Sequence, residues 1–317
     1  MGSSPKRNTV TFQKGESYFI EVEYKWEGRF PAVQIGMQVP DQHDLMEEAI
    51  SLAKQSDAVI LIVGTNSDWE TEGNDRASLE LPSNQDELIK NICEVNKNTV
   101  VVLNTGSPCE MPWHNEANAI LQSWFPGQEF GNSLSDIIFG EVNPSGKLPT
   151  TFPKTISDTP AFATYPGEDL QMDYEEGLFI GYRWYDRENI EPLFPFGHGL
   201  SYTSFEYSNL RAIPPKGTSS VAAFEIDITN SGIMAGKEIV QGYVSVSNSN
   251  IERADKELKK FEKVSLEPGE TKKLIFELSE RDLSFWSTES NTWQVEPAEY
   301  VFEVGASASD IRETTSV

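Results

Sequence analysis

Four carboxylates, one guanidinium and one indole fall within nine residues, Asp68-Trp-Glu-Thr-Glu-Gly-Asn-Asp-Arg76, just after the run Asp57-Ala-Val-Ile-Leu-Ile-Val-Gly64. Acids beside an aromatic platform suit proton transfer to a neutral sugar, and their negative field repels phosphate. Glycoside hydrolysis needs one protonated carboxylic acid at the leaving oxygen and one carboxylate on the other side of the sugar. In an extended loop Glu70 and Glu72 point the same way, too crowded for opposed roles, so only one of them is assigned to chemistry. Asp75 and Arg76 can brace the loop by ion pairing, and crowding among the acids can raise one carboxylate toward a useful proton donor. The plain alternative is a solvated acidic loop.

Other chemistries find little support. No Gly-x-x-x-x-Gly-Lys or Gly-x-Gly-x-x-Gly loop follows the strand, so a flavodoxin-like nucleotide binder lacks its phosphate cradle. No Gly-x-Ser-x-Gly elbow occurs, and the histidines are His43, His114 and His198. His198, in Phe194-Pro-Phe-Gly-His-Gly199, reads as a hydrogen-bonded structural residue. Trp69, Trp113, Trp124 and Trp184 are candidates to stack on sugar faces, or simply pack. Cys93 and Cys109 cannot build a disulfide framework, and no Cys-x-x-Cys or His cluster suggests a metal, so no cofactor is expected. Cys93 sits in a helical pattern with Leu88, Ile89 and Ile92 and reads as a small buried hydrophobe.

A formal net charge of −25 argues against nucleic acid and anionic membrane as partners and leaves a neutral ligand compatible. No run is long enough to span a bilayer and no signal peptide is visible. No Asn-x-Ser/Thr acceptor occurs, which leans toward an intracellular, cytoplasmic protein.

The elements that must position the acidic loop follow from periodicity. Residues 1–40 read as short strands, Thr9–Phe12, Ser17–Tyr24 and Ala32–Met37, with turns at Lys14-Gly15 and Glu27-Gly28, too little for an independent domain. From about Asp41, Leu45, Ala49, Leu52 and Ala53 recur at helical spacing before the strand at 57–64, whose continuous apolar run reads as buried on both faces. A helix over Ser83–Asn96 carries Ser83 and Asp86 as a capping box. Strands at Thr99–Leu103 and Ala119–Ser123 and a helix to about Phe139 complete an α/β layer with a mostly parallel sheet, over residues 41–165. Residues 166–214 read as an irregular aromatic, Pro- and Gly-rich wrapping connection. From 215 to 317, strands at Val221–Thr229, Ile239–Val246, Glu262–Leu266, Lys273–Leu278 and Glu299–Val304 predict an antiparallel β-sandwich.

These residues resemble a known family. Gly64-Thr-Asn-Ser-Asp-Trp-Glu-Thr-Glu-Gly-Asn-Asp-Arg-Ala-Ser-Leu-Glu-Leu-Pro-Ser-Asn-Gln85 is similar to the acid/base loop of family 3 glycoside hydrolases, the β-glucosidases and relatives. Asn104-Thr-Gly-Ser-Pro108, Met111-Pro-Trp113, Phe125-Pro-Gly-Gln-Glu-Phe-Gly131, Asn143-Pro-Ser-Gly-Lys-Leu-Pro149, Tyr174-Glu-Glu-Gly-Leu-Phe-Ile-Gly-Tyr-Arg-Trp-Tyr-Asp186 and Pro192-Leu-Phe-Pro-Phe-Gly-His-Gly-Leu-Ser-Tyr202 follow in the family's order. The tail, with Asn230-Ser-Gly232, Gly236-Lys-Glu-Ile-Val-Gln241 and Arg281-Asp-Leu-Ser-Phe-Trp286, resembles the family's fibronectin type III-like domain. Residues 1–40 resemble, more weakly, the end of a protective-antigen-type β domain that some members insert into the α/β layer.

The resemblance implies a retaining mechanism on β-linked glucosides, with Glu72 as general acid/base and Glu70 as the second candidate. Trp69, Asp75 and Arg76 would bind substrate or position the loop. It also implies a nucleophile on an N-terminal barrel domain, in cis or in trans, that has no counterpart here. The expectation is therefore the C-terminal part of a β-glucosidase, inactive alone, acting on a β-glucoside or oligosaccharide. The alternative is a noncatalytic carbohydrate-binding or scaffold fragment.

Overall fold

The computed structural model describes residues 8–25, 35–37, 44–73, 75–169 and 171–316, and forms two compact units, Met1–Leu45 and Met46–Val317. In the first, the expected turn at Lys14-Gly15 is present, with Gly15 at φ 91° and the Tyr18 hydroxyl accepting the Gln13 amide at 2.9 Å. The strands expected over Thr9–Phe12 and Ser17–Tyr24 do not form. Alternation alone does not make a strand: among the described residues nothing pairs with these segments, and Tyr18, Ile20, Val22 and Tyr24 stay exposed. The Glu27-Gly28 turn and residues 32–34 lie outside the described residues.

The second unit begins with the α/β layer. Its elements are α1 (Leu45–Gln55), β1 (Val59–Gly64), α2 (Gln85–Val95), β2 (Thr99–Asn104), β3 (Ala119–Gln122) and α3 (Phe130–Ile138). The three strands are parallel in the order β1-β2-β3, with Val63 beside Leu103 and Val102 beside Leu121. Ile89 and Cys93 of α2 pack on Val63, Val101 and Leu103, continuing into Cys109, Met111, Trp113 and Phe152. β1 is not buried on both faces as its composition suggests. It is an edge strand, and Ile60 and Ile62 stand 47% and 51% exposed.

The capping box at the start of α2 also fails. Ser83 takes φ 61° and Asn84 is the N-cap without a side-chain cap. Asp86 turns inward instead, accepting from Trp113 Nε1 at 2.7 Å and from the Leu81 amide at 3.3 Å. An indole N–H buried in the core needs an acceptor more than an exposed helix end needs a cap.

The stretch expected to be irregular contains a helix, α4 (Tyr182–Glu188), and a strand, β4 (Phe205–Ile213). α4 seals onto the sandwich: Tyr182 stacks on Phe196 at 5.2 Å, meets Tyr243 edge-on at 5.9 Å, and its hydroxyl accepts the Leu258 amide at 2.8 Å. β4 opens the sandwich, followed by β5 (Ser220–Asn230), β6 (Gly236–Ser247), β7 (Glu257–Leu266), β8 (Thr271–Ser279), α5 (Glu280–Leu283), β9 (Phe285–Ser287), β10 (Thr292–Gln294), β11 (Glu299–Ser307) and β12 (Asp310–Ser316). The antiparallel sheets β4-β5-β8 and β12-β11-β6-β7 face each other across Phe224 and Phe302, stacked at 4.2 Å. β9 and β10 form a separate hairpin.

Candidate active site

The acidic loop leaves the carboxyl edge of the parallel sheet, where open α/β folds place their ligand chemistry. Its departure point is fixed at Gly64. The Gln85 side chain takes the Gly64 amide at 2.7 Å and returns a hydrogen bond to the Gly64 carbonyl at 2.9 Å. Only glycine fits, because a Cβ there would lie 2.1 Å from the Asn104 carbonyl oxygen. The chain then coils rather than extends: the Asn66 carbonyl accepts the Trp69 and Glu70 amides at 3.0 and 2.8 Å, and Asn66 Oδ1 accepts the Asp68 amide at 3.0 Å.

This coil overturns the expectation that Glu70 and Glu72 point the same way. Glu70 folds back against the sheet, where its Oε1 accepts from Thr65 Oγ1 at 2.5 Å and from the Gly106 amide at 3.1 Å, with Arg76 Nη1 at 3.9 Å. Its side chain is 15% exposed. Glu72 sits two positions later in a turn closed by Gly73 at φ 82°, exposed and without a hydrogen bond or ion pair among the described residues. One carboxylate is structural cement and the other is presented to solvent.

Asp75 and Arg76 brace the loop, but not by pairing with each other. Adjacent residues diverge. Arg76 Nη1 donates to Ser107 Oγ at 2.7 Å and to the Pro108 carbonyl at 3.3 Å, tying the loop to the exit of β2. The Asp75 carboxylate lies beside the Tyr165 phenol and raises it above its usual 10. Trp69 is half-buried with its Nε1 shielded and unpartnered.

The other tryptophans divide. Trp113 is 2% exposed and cannot stack on a sugar. Trp124 packs edge-on to Phe152 at 6.1 Å. Trp184 is half-buried, its Nε1 donating to the Asp158 carbonyl at 3.2 Å. His198 is structural through its ring rather than a side-chain hydrogen bond, lying parallel to Phe194 at 5.1 Å. His114 Nδ1 lies 2.9 Å from the Met111 carbonyl oxygen, outside the loop. Both cysteines are free and buried, and burial pushes the Cys109 thiol up to about 12. Among the described residues no group of three or more His, Cys, Asp or Glu side chains is arranged to hold a metal.

The sequence of this layer matches the model of the glycosyl hydrolase family 3 C-terminal domain over residues 7–202. The chain belongs to this family. Residues 238–308 match the fibronectin type III-like domain. Among curated relatives of this family 3 chain, the thermostable beta-glucosidase B of Acetivibrio thermocellus is 47% identical over 270 residues, covering 84% of this chain and 36% of that protein. A solved beta-glucosidase from Kluyveromyces marxianus, in complex with glucose, superposes with a TM-score of 0.82 at 40% identity, over 89% of this chain and 34% of that one. Beta-glucosidase 3B from Thermotoga neapolitana, in complex with α-D-glucose, gives 0.79 at 35% identity, over 89% and 40%. The chain thus spans little more than a third of the curated relatives it matches, for example 40% of the Rhizobium radiobacter beta-glucosidase and 33% of an Aspergillus terreus one.

Four residues that build this family 3 site escaped the motif reading: Thr65, Gln85, Ser107 and Tyr165. Gln85, Ser107 and Tyr165 act across long sequence separations, and Thr65 acts locally through its hydroxyl on Glu70. Thr65, Gln85 and Ser107 lie inside the motifs that resemble the family, whereas Tyr165 lies outside them.

Proposed function

We propose that this chain is the acid/base-bearing part of a retaining β-glucosidase that removes terminal β-D-glucosyl residues. The nucleophilic carboxylate comes from a barrel segment outside these residues. The observation that carries the reading is the division of labour between two acids two positions apart. Glu70 is held by Thr65, Gly106 and Arg76, whereas Glu72 is exposed in a glycine-closed turn. A general acid must reach the substrate, and of the two glutamates the exposed Glu72 meets that need, which supports the assignment.

In the first half-reaction the Glu72 carboxyl gives its proton to the glycosidic oxygen as the C–O bond breaks, and the barrel carboxylate forms the glucosyl ester. In the second, the Glu72 carboxylate takes a proton from water as that oxygen bonds to the anomeric carbon and the ester leaves. Arg76, four positions after Glu72, ties the loop to Ser107, and Asp75 lies beside the Tyr165 phenol. The local excess of acids favours a neutral glucoside over a charged one.

The reading is tested by supplying the barrel segment in the same polypeptide or in trans and following aryl β-glucoside hydrolysis. Glu72→Gln should nearly abolish turnover of a poor-leaving-group substrate such as a phenyl β-glucoside, while Glu70→Gln should act mainly on stability. Full turnover of the phenyl β-glucoside by Glu72→Gln contradicts the proposal. Sugar binding without turnover, even with the barrel present, would favour a noncatalytic carbohydrate-binding chain.

A further inference from the structure

Both ends of the acidic loop are held by one short turn, and that turn is held in its own right by a residue with no part in the chemistry. The turn is Thr105-Gly-Ser-Pro108, where the chain leaves β2. Its Gly106 amide donates at 3.1 Å to Glu70 Oε1, two positions before Glu72. Its Ser107 hydroxyl accepts from Arg76 Nη1 at 2.7 Å, four positions after Glu72, and the Pro108 carbonyl accepts from the same nitrogen at 3.3 Å. Glu72 therefore lies on the span between two anchor points, with no hydrogen bond or ion pair of its own among the described residues. A span without contacts of its own is placed by its ends, so the turn sets where the Glu72 carboxyl can reach.

Close approach makes glycine necessary in the turn and leaves its backbone loosely restrained. A Cβ at Gly106 would lie 2.5 Å from Glu70 Oε2 and 2.6 Å from Phe125 Cε2. Two side chains supply the missing restraint. Thr105 is fully buried, and its hydroxyl donates to the Ser107 carbonyl at 2.9 Å. Gln122, the last residue of β3, donates from Nε2 to the Thr105 carbonyl and to Thr105 Oγ1, each at 3.1 Å. Alternate side chains of a strand share a face, and Ile120 packs on the core beneath the sheet, so Gln122 continues that inward row at the carboxyl edge. A polar side chain in such a row costs free energy unless its groups are bonded. Both partners of the Gln122 amide lie in the turn, and its Oε1 is shielded and unpartnered, so the hold runs through Nε2 alone.

We infer that Gln122 is a positioning residue for proton transfer. It fixes the Thr105–Pro108 turn, the turn fixes Glu70 and Arg76, and those two fix the span that carries Glu72. Its bearing on catalysis rests on the β-glucosidase reading, whereas the chain of contacts stands in the geometry alone. Gln122 acts through the turn and not on Glu72 itself. Its loss should therefore slow the departure of leaving groups that need a proton and spare those that do not.

Gln122→Met removes the donor and keeps the length of the side chain. In the 317-residue chain, hydrogen exchange read by NMR should show the Gly106 amide freed by roughly tenfold relative to that of Val101, which lies inside the sheet and reports opening of the whole layer. In the barrel-complemented enzyme, Gln122→Met should lower kcat/KM for a phenyl β-glucoside by roughly tenfold to 10²-fold and leave a dinitrophenyl β-glucoside within about twofold. Thr105→Val takes away the hydroxyl that Gln122 reaches and should give the same selective loss. The double variant should lose no more than either alone, because both act through one turn. Ser107→Ala, at a half-buried position, cuts the bond to Arg76 and should show the same substrate dependence even if a buried variant fails to fold. A merely structural role would slow both substrates alike. Equal losses on the two substrates in these variants, or a Gly106 amide unmoved by Gln122→Met, overturns the inference. If Glu72→Gly discriminates between the substrates and these variants do not, the positioning role alone falls. If Glu72→Gly does not discriminate while Gln122→Met frees Gly106, the catalytic assignment falls and the chain of contacts stands.

Discussion

Gln85, the first residue of α2, closes a two-bond ring with Gly64, the last residue of β1: Gly64 N to Gln85 Oε1 is 2.7 Å and Gln85 Nε2 to Gly64 O is 2.9 Å. The amide thereby ends the strand and sets the direction in which the acidic loop departs. Gln85→Leu leaves two partly buried backbone groups unmet and should cost about 2 kcal/mol in urea unfolding. It should also lower kcat in the complemented enzyme, since the turn bearing Glu72 starts from this point. Unchanged stability would mean that water replaces the amide without penalty.

A buried charge pair spans the junction between the α/β layer and the sandwich. Lys147 Nζ lies 3.0 Å from Glu238 Oε1, with side chains 10% and 7% exposed. The Tyr207 hydroxyl donates to the same oxygen at 3.1 Å, and Lys147 also donates to the Gly199 carbonyl at 2.9 Å. Removing one partner strands the other in a dry site, so Lys147→Met should lose about 3–5 kcal/mol. Lys147→Met with Glu238→Gln should recover much of that loss, a coupling that a double-mutant cycle on denaturation midpoints will read.

Stability should fall on mild acidification through His198. Burial, with Lys147 beside it, holds its imidazole below the usual 6.5. The unfolded chain therefore takes up a proton at a pH where the folded chain does not, and protons bound by the unfolded state favour unfolding. The contribution is complete above the unfolded value of 6.5 and is lost as pH falls from there toward the lower folded pKa. His198→Phe keeps the stack on Phe194 and should flatten the melting temperature between about pH 7 and pH 5. An equal slope in both proteins would assign the effect elsewhere.

The two thiols should be silent in the native chain. Cys109 is pushed up to about 12 by burial, and burial also raises Cys93. Thiolate, not thiol, attacks disulfide reagents. Ellman's reagent at mildly alkaline pH should find no reactive thiol in the folded chain and both after denaturation.

The parallel strands were legible because β-branched runs such as Thr99-Val-Val-Val-Leu103 have few other uses. β9, β10 and β12 were not: β12 alternates exposed and half-buried positions at a sheet edge and carries Asp310, Arg312 and Glu313, so it lacks an apolar signature. The acidic loop was legible in composition and obscure in geometry. Glu70 and Glu72 look alike in sequence. Their fates diverge because Gly106, 36 residues away, offers Glu70 an amide and, among the described residues, no such partner reaches Glu72. The misread capping box has the same origin, since the partner that draws Asp86 inward is Trp113, 27 residues on. Local pattern finds elements; contacts across the sheet decide which of two equal side chains is left free.

Leaving-group dependence tests the role of Glu72 most directly. In the barrel-complemented enzyme, Glu72→Gly should lower kcat/KM for a phenyl β-glucoside by about 10²–10⁴, the range for loss of a general acid. The same change should scarcely affect a dinitrophenyl β-glucoside, whose leaving group departs without a proton, and added azide should restore turnover as the β-glucosyl azide. Equal losses on both substrates, or none on either, would contradict the assignment of proton transfer to Glu72.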